Sequence, residues 1–158
     1  MAKSPDSVPI LPASSSSTPP PMKFLVIDDD PVFRTFLSQT LALEPADQVT
    51  VAAEGLAAWR ILDDPKRHFD VVFLDLTMPP PGPDGFELLR RIRASQWLKN
   101  LEVVLCTGSS DRKTVETAVS LGVRHYIVKP CKPAAVIAKI DQIRGSATPW
   151  DDQRMARL

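Results

Sequence analysis

The sequence predicts an α/β fold: a five-stranded parallel sheet covered by helices on both faces. Three observations predict it. Short apolar runs alternate five times with stretches of helical periodicity, the order expected of repeated β-α-β units with right-handed crossovers. The strongest runs are apolar at successive positions, as in strands buried from both sides. Several runs also stop at a polar residue, and parallel sheets bind ligands outside the carboxyl ends of their strands.

The first strand is Phe24-Leu25-Val26-Ile27, ending in Asp28-Asp29-Asp30. Pro31 suits the first turn of a helix, and Val32, Phe33, Phe36, Leu37, Thr40 and Leu41 follow at helical spacing. Val49-Thr50-Val51-Ala52 reads as a weaker strand, and residues 56–62 as a helix with Trp59 on its apolar face. Val71-Val72-Phe73-Leu74 is the second strong strand and ends in Asp75. Asp84 is placed to cap a helix carrying Phe86, Leu88, Leu89 and Ile92. Residues 101–106 form a strand ending at Thr107, and residues 111–121 a helix stopped by Gly122. Residues 123–128 form the fifth strand, ending in Lys129-Pro130. The last helix covers 133–144, with Val136, Ile137, Ile140 and Ile143 on its apolar side and Gly145 at its end. Trp59 and Trp97 are both expected in the core or on a partly buried helix face.

Composition narrows the function classes. The chain has 158 residues, which favours one domain. Lys+Arg and Asp+Glu number 19 each, so the basic footprint of a nucleic-acid binder is absent. No apolar run reaches the roughly 18–20 residues that span a bilayer, and no apolar leader segment opens the chain. Cys106 and Cys131 cannot staple a secreted scaffold, so reduced thiols and a cytoplasmic location are expected. His68 and His125 have no companion Cys at zinc spacing. Residues 1–21 contain six Pro and six Ser, a composition that buries too little apolar surface to order a chain. They are read as a disordered, dispensable tail, residues 22–145 as the folded domain, and residues 146–158 as a loosely attached C-terminal tail.

Four of the five strand ends carry polar groups: Asp28, Asp29 and Asp30 on the first, Asp75 on the third, Thr107 on the fourth and Lys129 on the fifth. Parallel strands bring these to one sheet edge. Crowded carboxylates repel unless a cation joins them. An all-oxygen ligand set suits Mg²⁺ rather than zinc. A hydroxyl and an ammonium beside it suit a phosphoryl group, whose charge lies on three equatorial oxygens. Together they suit transfer of a phosphoryl group to a carboxylate.

The segments FLVIDDDPVFR, VVFLDLTMP, DGFELLRRIR, VVLCTG and YIVKP, in that order and at those strand ends, resemble the receiver domain of two-component response regulators over about residues 22–144. The resemblance implies the (βα)5, flavodoxin-like receiver fold. It implies that Asp75 is the phosphoacceptor, served by a histidine kinase or phosphotransfer protein. Asp28 and Asp29 would be the acidic pair for Mg²⁺, with Asp29 and Asp75 as direct ligands and the backbone carbonyl of Thr77 completing the protein's share. Lys129 would contact the phosphoryl oxygens, Thr107 would hydrogen-bond them, and Tyr126 would be the aromatic switch that reorients when Thr107 moves. Pro130 matches the family's lysine-proline step, often a cis bond. A downstream protein target is implied, with dimerisation through the last two helices and strand five. About 14 residues follow the last helix, too few for a DNA-binding module, so a stand-alone receiver is expected.

The chain departs from the family pattern after the acceptor. Pro80-Pro81-Gly82-Pro83 separate Met78-Pro79 from Asp84-Gly85, two residues more than usual, and prolines stiffen that loop. Thr77 and Ser109 sit where the family varies and where phosphoaspartate hydrolysis is tuned. Blander roles compete residue by residue: helix cap for Asp30 and Thr107, simple packing for Tyr126. The competing function is a phosphohydrolase of the haloacid dehalogenase type, because Asp28-x-Asp30-x-Val32 resembles that superfamily's nucleophile motif. Against it, no further acidic ligand follows on a strand after Lys129, and there is no room for a cap insertion.

Overall fold

A computed structural model describes residues 20–108 and 112–145. Among these the order is β1 (Lys23–Ile27), α1 (Pro31–Leu41), β2 (Gln48–Ala52), α2 (Gly55–Leu62), β3 (Val71–Asp75), α3 (Gly85–Ala94), β4 (Glu102–Thr107), α4 (Arg112–Ser120), β5 (His125–Val128) and α5 (Pro133–Ile143). The strands form one parallel sheet in the order β2-β1-β3-β4-β5. This is the predicted α/β fold. The expectations for residues 1–19 and 146–158, for Ser109 and for Asp111 lie outside the described residues.

Strand periodicity explains how the helices divide between faces, since successive side chains point to opposite sides. Leu25, Ile27, Val72, Leu74, Val103 and Leu105 point to one side, against Ala58 and Leu62 of α2, Leu88, Leu89 and Ile92 of α3, and Ala118 of α4. Phe24, Val26, Val71, Phe73, Val104 and Cys106 point to the other, against Phe33, Leu37 and Leu41 of α1 and Val136 and Ile140 of α5. The chain leaves β1 toward β2 at one edge and then crosses to β3. The topological switch point therefore lies between β1 and β3, where the aspartates end their strands.

Two expectations change for local reasons. β5 begins at His125 rather than Val123, because the Val123 amide still bonds the Ala118 carbonyl at 3.1 Å, closing the end of α4. α3 ends at Ala94, with Ser95 already extended. Trp97 consequently falls in a loop and is 63% exposed, contrary to its expected burial. Leu98 takes the inward position instead. Trp59 is half-buried on α2, with the Arg91 guanidinium over its ring, as its helical phase implied.

The start of the domain is also tied down earlier than expected. Arg144 forms a buried ion pair with Asp47 at 2.6 Å and donates to the Pro20 carbonyl at 2.9 Å, while the Met22 amide donates to Asp47. Pro20 thus engages the fold, although the composition of 1–21 pointed to an unattached tail.

Candidate functional site

The carboxyl end of β1 begins the site. Asp28 is buried, and three of its atoms are committed. Its Oδ1 accepts from the Asp30 amide at 2.9 Å, its Oδ2 from Lys129 Nζ at 2.6 Å, and its carbonyl from Arg34 Nη1 at 2.8 Å. Arg34, six residues on and one turn into α1, therefore fixes the loop that presents the acidic pair. Asp29 is exposed beside it. Asp30 turns away to start α1, with Oδ1 accepting from the Val32 amide at 2.9 Å.

Asp75 ends β3 in register with Cys106 of β4. It is 5% exposed. Its Oδ1 accepts from both the amide (3.0 Å) and the hydroxyl (3.2 Å) of Thr77, which leaves Oδ2 facing Lys129 Nζ at 3.4 Å. α3 approaches closely behind it. A Cβ at Gly85 would lie 2.2 Å from the Asp75 carbonyl oxygen, so only glycine lets α3 start there. The longer proline loop is seated as well: a Cβ at Gly55, the first residue of α2, would meet the Pro83 carbonyl oxygen at 1.8 Å. Pro83 is buried while Pro79, Pro80 and Pro81 remain exposed at the rim.

Asp28, Asp29 and Asp75 each offer a carboxylate oxygen, and these lie within 4.8 Å of one another. The donor set is all oxygen, two members are buried and the third opens to solvent, which fits a hard divalent cation that keeps some of its water. Without a cation the cluster disfavours its own charge. Burial, the Asp28 charge and a hydrogen bond with Asp29 raise the Asp75 pKa from the ordinary 3.8 to about 6, against the opposing pull of the Thr77 amide and Lys129. For Lys129, burial works against the ammonium, but Asp28 and Asp75 more than offset it and the pKa is raised.

Lys129 follows β5, and its amide bonds the Thr107 carbonyl at 2.8 Å, so the last residue of β4 and the lysine are locked side by side. The Lys129-Pro130 bond is cis. Thr107 is buried. It lines a cavity of about 80 Å³ between β4, β5 and α4 together with Val115, Ala118 and Tyr126. Tyr126 itself is 45% exposed, with Lys139 Nζ 5.9 Å from its ring centroid. Cys106 is buried and Cys131 half-buried; both are free thiols, with pKa values raised by burial.

The expected site residues therefore gather at one edge, with Tyr126 one cavity away. Asp30 does not join them: it lies outside the cluster of Asp28, Asp29 and Asp75. The hydrolase motif would need it there. Asp30→Ala should cost about 1 kcal/mol in a thermal melt, the loss of an N-cap, and leave phosphoryl acceptance measurable by intact mass. A variant that accepts no phosphoryl group would return Asp30 to the chemistry. Sequence reasoning missed the Arg34 contact to the Asp28 carbonyl, the hydrogen bond from the Thr77 hydroxyl to Asp75 and the ring of Phe33 beneath Lys129. Arg34 closes the segment FLVIDDDPVFR, but nothing there marks its contact with the Asp28 carbonyl. Phe33 read only as core, which it also is.

Comparison with known proteins agrees with the fold. Residues 24–141 match the response regulator receiver domain family. The chain is 31% identical over 127 residues to a chemotaxis protein CheY homolog of Campylobacter jejuni, covering 80% of this chain and 95% of that one. It is 36% identical over 122 residues to chemotaxis protein CheY-3 of Vibrio cholerae, covering 77% and 91%. Among solved structures, the signal receiver domain of a DNA binding response regulator protein from Colwellia psychrerythraea superposes with a TM-score of 0.70 at 31% identity, covering 79% of this chain and 99% of that one. A haloacid dehalogenase reading finds no support in these relationships.

Proposed function

The chain belongs to the response regulator receiver domain family, and on that premise we propose that Asp75 accepts a phosphoryl group from a histidine kinase or phosphotransfer protein and that the phosphorylated form changes what the domain binds. The observation that carries this reading is the set of three carboxylates within 4.8 Å, with Lys129 Nζ 2.6 Å from Asp28 and 3.4 Å from Asp75.

In the transfer, an Asp75 carboxylate oxygen attacks phosphorus as the bond from phosphorus to the donor nitrogen breaks. The electron pair stays on that nitrogen, and the donor imidazole takes up one proton. Asp28, Asp29, Asp75 and the Thr77 carbonyl would hold Mg²⁺, which when bound supplies the positive charge that offsets the carboxylates and the phosphoryl oxygens. Lys129 supplies a second positive charge in reach of a phosphoryl oxygen on Asp75. The Thr77 amide and hydroxyl anchor Oδ1, which leaves Oδ2, the oxygen facing Lys129, to attack. The chain is then an acceptor and a switch rather than a turnover enzyme, at most catalysing its own phosphorylation and dephosphorylation.

The switch follows from the same edge. Thr107 donates to a new phosphoryl oxygen and moves toward it, and the Tyr126 ring turns into the cavity that both residues line. That is a shift between existing states. The surface so altered comprises β5 with α4 and α5, where a downstream protein target or a second copy would dock. The reading places this action in the cytoplasm, and no described helix is long and apolar enough to cross a membrane.

Intact-mass measurement after incubation with phosphoramidate and Mg²⁺ tests the class. One phosphoryl increment, dependent on Mg²⁺, is expected. No increment, or steady hydrolysis of phosphate esters that needs Asp30, would overturn the reading.

A further inference from the structure

We propose that Phe33 is a positioning residue for Lys129: its ring beneath the ammonium keeps Nζ at the phosphoacceptor. The inference rests on the assignment of Lys129 to phosphoryl contact and adds a residue to that machinery.

Lys129 Nζ lies over the Phe33 ring, 4.4 Å from its centroid, while also 2.6 Å from Asp28 Oδ2 and 3.4 Å from Asp75 Oδ2. The ammonium is thus bounded by two carboxylates and one π face. A π face attracts a cation through the negative charge over its centre, and the attraction grows where water is excluded. Here the lysine side chain is only 19% exposed and the ring 8%.

The ring is also fixed in place. Phe33 is the third residue of α1, just after the Asp30 cap and the Pro31 start. It packs in one core cluster with Val26, Phe73, Cys106 and Ile127 and lies tilted against the Phe36 ring, with centroids 5.6 Å apart. It stands on an element whose entry loop is pinned by Arg34 to the Asp28 carbonyl. Acidic pair, ring and loop anchor thus come from one seven-residue stretch, Asp28 to Arg34.

The need for such a surface arises from the lysine itself. Its four-carbon stem is flexible and its ammonium a compact point charge with no preferred plane. Asp28 alone would draw Nζ toward β1. A cation-attracting surface that does not compete as a hydrogen-bond acceptor leaves the N–H groups for Asp28 now and for phosphoryl oxygens later. An aliphatic side chain would fill the same core volume without attracting the charge.

A double-mutant cycle tests this. Phe33→Leu should slow phosphorylation by phosphoramidate about fivefold at saturating Mg²⁺, and Phe33→Tyr should restore most of the rate. In a Lys129→Met background, Phe33→Leu should add little further loss, because nothing remains for the ring to position. A packing defect would give the same loss in both backgrounds, and that result would overturn the proposal. Proton NMR supplies an independent readout: the Lys129 ε-methylene should be shifted upfield by the ring current and return to an ordinary position in Phe33→Leu. Unshifted protons in the wild type would equally overturn it. If Lys129→Met phosphorylates at the wild-type rate, the assignment of Lys129 fails and the inference falls with it. If Lys129→Met is slow and Phe33→Leu is not, the inference fails alone.

Discussion

Asp75→Asn should abolish phosphoryl acceptance outright, with no mass increment under conditions that convert the wild type. The reason is chemical rather than structural. Asparagine keeps the shape, and its side-chain oxygen still accepts from the Thr77 amide and hydroxyl, which hold Oδ1 at 3.0 and 3.2 Å. What it lacks is the second carboxylate oxygen, the one facing Lys129 at 3.4 Å. An amide nitrogen there is no nucleophile toward phosphorus. The fold should survive, since a buried carboxyl whose pKa is raised to about 6 is partly protonated near neutrality, and a neutral isostere suits the same site. A folded Asp75→Asn protein that still gained a phosphoryl group would move the acceptor elsewhere, and Asp29 would be the next candidate on proximity. Loss of the increment together with loss of the folded baseline would not count, so the melt and the mass spectrum are read on the same sample.

Much of this site was legible in the sequence because a parallel sheet converts order along the chain into position in space. Once β1, β3, β4 and β5 are parallel, their last residues share an edge, and Asp28, Asp75, Thr107 and Lys129 meet whatever the loops do. The fold was legible for the same reason: apolar runs such as Val71-Val72-Phe73-Leu74, short, rich in β-branched and aromatic residues and bounded by Asp70 and Asp75, fit a strand buried on both sides. What the sequence hid depends on distances that periodicity does not encode. Asp28, Asp29 and Asp30 are chemically identical in the sequence, and only the turn geometry sends the third to cap α1. Phe33 satisfies the apolar phase of α1, so its second role under Lys129 leaves no pattern. Trp97 is exposed because α3 ends at Ala94 and the backbone at Ser95 is already extended, a break that periodicity does not mark. Arg144 reaching the Pro20 carbonyl is a contact across 124 positions, and no local reading of a Pro- and Ser-rich segment finds it.

Lowering the charge of the acidic cluster should stabilise the metal-free protein, and Mg²⁺ should do so more strongly. Asp75 in the folded, metal-free state has a pKa of about 6 against the ordinary 3.8, so the folded state holds its proton more tightly than the unfolded chain does. The stability this contributes is complete below about pH 4 and is lost as pH rises through 6. The integrated loss has an upper bound of roughly 3 kcal/mol, at 1.36 kcal/mol per unit. Asp75 by itself therefore destabilises the metal-free protein over that window, a slope opposite to the usual acid denaturation of paired carboxylates, read as the difference in melting between the wild type and Asp75→Asn. Mg²⁺ binds the assembled cluster and not the unfolded chain, so at about 100 times its dissociation constant it should add roughly 2.7 kcal/mol at neutral pH. Its gain should shrink as acid protonates Asp75. Asp29→Asn separates this account from a capping role. Asp29 is exposed, and the cap of α1 is Asp30, so the substitution removes one like charge and no helix contact. The metal-free variant should melt higher than the wild type at pH 7–8, show a flatter pH profile, and respond less to Mg²⁺. A cap role predicts the reverse sign: a loss of about 1 kcal/mol or less, unaffected by metal. Wild-type melts that ignore Mg²⁺ at neutral pH would dismiss the metal site itself.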